Sequence, residues 1–102
     1  MKPGIISPPL KVPSSIPRPP YALNGVVPPS PFFIAIHDSS MVSRMRVSCN
    51  LARRVLDLAM SSAKVGMTTD EIDVIVHDKI VAEGAYPSPL NYAGFPKSVC
   101  AR

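Results

Sequence analysis

The candidates for metal ligation or acid–base chemistry in this 102-residue chain are His37, His77, Asp70, Glu71 and Asp73. Their spacing does not join them. Asp70 and Glu71 open a predicted helix, where capping and the positive end of the dipole account for them. His77 falls beside Asp73 and Asp78 on what reads as the wetter side of that helix, and a solvated histidine is expected there. His37 precedes another helix and reads as a surface residue. Cys49 and Cys100 form no CxxC pair, which leaves out a zinc knuckle or a disulfide framework and fits a reducing compartment. No Ser/His/Asp set and no Gly-rich phosphate loop is present. The net charge of +4 comes from bases interleaved with acids, whereas a nucleic-acid binder shows a dense basic face.

The elements that must carry any site are easier to read. Of the 13 prolines, those from Pro3 to Pro31 crowd into the first third of the chain. They remove backbone donors and hold the segment extended. Ile5, Ile6, Leu10, Val12, Ile16, Tyr21 and Leu23 recur between them, which favours an arm lying on a folded body. Pro17-Arg18-Pro19-Pro20 also fits an SH3-type ligand, a pattern common by chance. Phe32-Phe33-Ile34-Ala35-Ile36 reads as a short strand or the approach to a helix. The first helix starts at Ser39 or Ser40, capped by Asp38 or Ser39. Its apolar stripe is Met41, Val42, Met45, Cys49, Ala52, Val55, Leu56 and Ala59. Cys49 reads as a buried small hydrophobe and Gly66 as the left-handed end of the segment. The second helix begins with a capping box, Thr68 with Glu71, and Met67 and Ile72 as a hydrophobic staple. It buries Ile72, Ile75, Val76 and Ile80 and stops at Gly84. Tyr92–Phe95 and Ser98–Cys100 each read as a short strand, and two helices with one strand bury little area against chain entropy. No apolar run approaches a membrane span, and no secretory signal is evident.

Composition and periodicity alone name no function. The stretches Ala85-Tyr86-Pro87-Ser88-Pro89-Leu90-Asn91-Tyr92 and Gly94-Phe95-Pro96-Lys97-Ser98-Val99-Cys100 resemble the first signature of type I methionine aminopeptidases. Met67-Thr68-Thr69-Asp70-Glu71-Ile72-Asp73 resembles that family's second-helix start, and Met45 to Asp57 its first helix. Val12 to Tyr21 resembles the extended segment before it. Lys2-Pro3-Gly4 and Ser7-Pro8 resemble plant organellar members.

This resemblance implies an α/β pita-bread fold, of which the chain holds an extended arm at 1–37, then two helices and the start of an antiparallel sheet within 38–102. It implies removal of the initiator methionine from nascent polypeptides at the ribosome, with no nucleic-acid or membrane partner. Two divalent ions (Co, Mn, Fe or Zn) serve the full-length family. Their ligands and a substrate histidine follow the cysteine of the signature, where this chain reads Ala101-Arg102. No catalytic residue and no metal ligand is therefore expected in this chain, and no hydrolysis by it alone. Pro89, Tyr92, Phe95 and Cys100 match positions lining the methionine side-chain pocket. Ala93 stands where the family often has His, Tyr or Gly. A chloroplast or mitochondrion is the implied compartment, with the cytoplasm as the alternative. The other reading is a non-catalytic interaction module or splice product that pairs with a full-length relative.

Overall fold

The computed structural model describes residue 2 and residues 4–101. Met1, Pro3 (part of the Lys2-Pro3-Gly4 motif) and Arg102 lie outside the described residues. Two α-helices form the frame, α1 at Ser39–Ser62 and α2 at Thr69–Ala82, and a short 3-10 turn follows at Tyr92–Gly94. The proline-rich arm is not a free linker. Val12 and Ile16 are buried in one cluster with Leu90, against which Val81 and Tyr86 pack.

Capping chemistry sets both helix starts. Asp38 accepts the Met41 N–H at 2.8 Å. Thr68 and Glu71 form the full box: the Glu71 N–H reaches Thr68 Oγ1 at 3.2 Å, and the Thr68 N–H reaches Glu71 at 2.7 Å. These contacts satisfy N–H groups that have no partner within the helix. They also hold the Glu71 carboxyl below its ordinary range, chiefly through the Thr68 backbone bond. Thr68→Ala is expected to weaken this end by about 1 kcal/mol. Amide exchange should report it as roughly fivefold faster exchange at Glu71, with the middle of α1 unchanged.

The helices meet through the C-terminal half of α1, where Val55 is its buried residue. Arg54 adds a two-pronged contact to Glu83 at 3.0 and 3.4 Å, and Lys79 reaches the same carboxylate at 2.8 Å. Lys79 and then Arg54 hold the Glu83 carboxyl below its usual range. The pair is exposed, so its contribution is modest.

Three expectations are corrected. Cys49 is exposed, because no described residue covers the N-terminal half of α1, and Met41, Val42 and Met45 are open with it. The helix stops at Ser62, not at Gly66, because Ala63 leaves helical angles at ψ 123°. Gly66, at φ 92°, instead belongs to the connecting turn, in which the Met67 N–H bonds to the Lys64 carbonyl. Of the two readings of Phe32–Ile36, the structure shows the approach to a helix: the segment is exposed irregular chain that leads into α1. No strand forms among the described residues, so the expected start of a sheet at Tyr92–Phe95 and Ser98–Cys100 is absent. The reason at Tyr92 lies in its neighbours: Asn91, Ala93 and Gly94 have φ of 60°, 50° and 80°. Consecutive left-handed angles coil the backbone and cannot continue a ladder.

Candidate functional site

The stretch from Pro87 to Cys100 is shaped first by a knot of short-range bonds. Leu90 N–H bonds to the Pro87 carbonyl, Tyr92 N–H to Pro89, Gly94 N–H to Asn91 and Phe95 N–H to Tyr92. The Asn91 N–H closes the loop on the Phe95 carbonyl at 2.7 Å. Left-handed angles at Asn91 and Ala93 strain L-residues, and the arm helps hold them. Asn91 Nδ2 donates to the carbonyls of Ala22 and Tyr21 at 2.9 and 3.3 Å. Tyr21 stands edge-on to Tyr92 with ring centroids 5.2 Å apart, and its hydroxyl donates to the Ser88 carbonyl at 2.7 Å. Gly25 lies so close that a Cβ there would sit 3.1 Å from the Gly94 nitrogen. Its φ of 74° is also one that glycine adopts without strain.

Pro89, Tyr92 and Phe95 are therefore on one braced turn. They do not converge on one cavity. Phe95 lines a cleft of about 480 Å³ with Pro9, Lys11, Arg18, Tyr86 and Leu90. Burial pushes the Tyr86 phenol above its ordinary range. Pro89 lines a second, more apolar cleft of about 510 Å³, between α1, α2 and Val99. Tyr92 is half exposed and Cys100 is exposed, and neither lines these clefts.

A second group, not anticipated as a unit, fixes the stretch before Cys100. Asp73 is 2% exposed, and its Oδ1 accepts the N–H groups of Ser98 at 2.7 Å and Val99 at 3.0 Å. His77, 3% exposed, lies one turn further along α2, with Nδ1 2.8 Å from Ser98 Oγ and Nε2 3.1 Å from the Lys11 carbonyl. The carbonyl can only accept, so Nε2 carries a proton. In the neutral ring Nδ1 then accepts the Ser98 hydroxyl proton. His77 is thus not the solvated residue its charged neighbours suggested. Lys97 bonds to both Asp70 and Ser7, and Ser7 Oγ donates to Asp70 at 2.8 Å. Lys97 first, then Ser7, hold the Asp70 carboxyl below its ordinary range.

The signal for this group was in the spacing. Asp73, Val76, His77 and Ile80 follow helical steps of three and four, so the two polar residues share the stripe of the two apolar ones.

Among the described residues, no three His, Cys, Asp or Glu side chains are placed to share a metal ion. The family model for metallopeptidase family M24 matches residues 43–102. The chain belongs to metallopeptidase family M24. As a family member it is also similar to methionine aminopeptidases from several organisms. It is 49% identical over 100 residues to methionine aminopeptidase 1D, mitochondrial, of Danio rerio, which covers 98% of this chain and 30% of that protein. It is 52% identical over 97 residues to methionine aminopeptidase 1B, chloroplastic, of Arabidopsis thaliana, covering 95% of this chain and 26% of the relative. For methionine aminopeptidase 1 of Saccharomyces cerevisiae the identity is 45% over 95 residues, with 87% and 24% covered. The M24 chain thus spans less than a third of the length of these relatives. Among its described residues no helix is long and apolar enough to cross a membrane.

Proposed function

We propose that this chain is the N-terminal part of a methionine aminopeptidase that removes the initiator methionine from nascent polypeptides. The observation that carries the reading is the similarity over almost the whole chain, arm included, to proteins of that name. In this reading residues 1–37 are the arm and 38–102 begin the catalytic domain of a pita-bread fold. Pro89, Tyr92, Phe95 and Cys100 contribute one wall of the methionine pocket. Aromatic faces and a thiol suit a polarizable thioether. The two divalent ions, Co, Mn, Fe or Zn, are assigned to ligands in the remainder of the fold, since the described residues of this chain do not fit a metal shell. The ribosome is the place of action. A chloroplast or mitochondrion is the compartment, supported by the organellar names of the relatives; the cytoplasm is the alternative, supported by similarity to relatives whose names carry no organelle.

A fusion tests this. The chain replaces the matched residues of the Danio rerio relative, and the product is given a Met-Ala-Ser peptide with cobalt or manganese. The fusion is expected to release methionine, and the 102-residue chain alone to release none above a metal-only blank. Phe95→Ala in the fusion should lower kcat/KM for this peptide by about tenfold or more. A folded but inactive fusion would overturn the reading. Turnover by the chain alone would overturn the assignment of the metal ligands.

A further inference from the structure

The bonds on Asp73 exceed what helix capping or surface charge requires. The residue sits inside α2, beyond the first turn, and is buried. One oxygen takes two consecutive backbone N–H groups of a segment that is neither helix nor strand. Among the described residues no backbone carbonyl pairs with those two groups. The other oxygen, Oδ2, has no hydrogen-bond partner, and the nearest cation, Lys97 Nζ, stands 3.9 Å away. A buried carboxylate in this setting persists only where its contacts fix something.

We propose that Asp73 is a positioning residue for substrate selection: by clamping the Ser98 and Val99 amides it sets where Cys100 stands in the methionine pocket. The proposal rests on the reading of Cys100 as a pocket residue. The clamp is rigid at its base, because α2 is capped at Thr68 and tied to the arm through His77 and the Lys11 carbonyl. Cys100 lies one residue past the second clamped amide. Its backbone path therefore starts from a point held by α2, while its side chain remains exposed. A helix-borne anchor positions a wall more narrowly than a loop would. The ligand class it serves is a linear thioether side chain, discriminated from branched apolar ones by the position of the wall.

The test uses the fusion and two variants. Asp73→Ala removes the acceptor. Asp73→Asn keeps Oδ1, which can still accept both amides. The ratio of kcat/KM for Met-Ala-Ser over Leu-Ala-Ser is expected to fall by about tenfold in the first and to stay within about threefold in the second. A structural role alone would lower both substrates together and leave the ratio in place, and that result overturns the proposal. Amide exchange on the unmutated fusion serves should Asp73→Ala fail to fold. The Ser98 and Val99 amides should exchange at least about tenfold more slowly than that of Ala101; equal rates overturn the clamp. An inactive fusion with protected amides defeats the methionine-pocket reading and the selection it would serve. An active fusion whose ratio ignores Asp73→Ala defeats only the inference.

Discussion

Leu90→Ala is expected to destabilise the fusion by about 2–5 kcal/mol. Leu90 is 6% exposed and joins Val12 and Ile16 in the cluster that seats the arm. The truncation removes buried methyl groups and leaves a void that its neighbours refill only in part, and both effects add. The backbone side of the residue survives, since the Tyr86 hydroxyl donates to the Leu90 carbonyl at 2.8 Å. The loss should therefore fall on the arm. Trypsin should cut after Lys11 faster in the variant, because Val12 next to it loses its seat. Arg18 is no comparable site, since a proline follows it. Val65→Ala is the control: Val65 is fully exposed, and such changes stay within about 0.5 kcal/mol. Equal trypsin rates in Leu90→Ala and Val65→Ala would show that the arm is held elsewhere.

What the residues disclosed followed the range over which each signal acts. Both helix starts were legible because a cap involves side chains within three residues of the N–H they satisfy, as Asp38 and Thr68 do. The α1 stripe was legible as a pattern but not as a burial. Periodicity says which residues share a face, and only another element can cover that face. Met41, Met45 and Cys49 lack that cover among the described residues. Tyr92–Phe95 was misread because apolar and aromatic residues suit a strand. Asn91 and Gly94, three apart between prolines, were the stronger signal for a turn. Asp73 and His77 were misread because polar types were assigned to water. Their partners, Ser98 and Lys11, lie 21 to 66 residues away from His77, and no local pattern announces such a pairing. Pro89, Tyr92, Phe95 and Cys100 came from resemblance alone. The structure adds that the first three share one braced turn, while Asp73 holds the Ser98 and Val99 amides just before Cys100.

His77→Phe is expected to destabilise the fusion by about 2–4 kcal/mol, close to the effect of Leu90→Ala, despite adding apolar surface. The ring is buried and uses both nitrogens, one toward Ser98 Oγ and one toward the Lys11 carbonyl. Phenylalanine keeps a flat ring but leaves a buried hydroxyl and a carbonyl without these partners. Leaving one side of a buried hydrogen bond unmet is worse than never having built it. Combining the change with Ser98→Ala removes one of the two stranded groups. The double variant should thus recover about 1 kcal/mol relative to His77→Phe, although Ser98→Ala alone is destabilising. Unfolding midpoints of the four proteins give the coupling directly. Additive losses would mean that the Ser98–His77 bond contributes nothing, and that Asp73 and the Lys97 contacts with Asp70 and Ser7 hold the segment leading to Cys100.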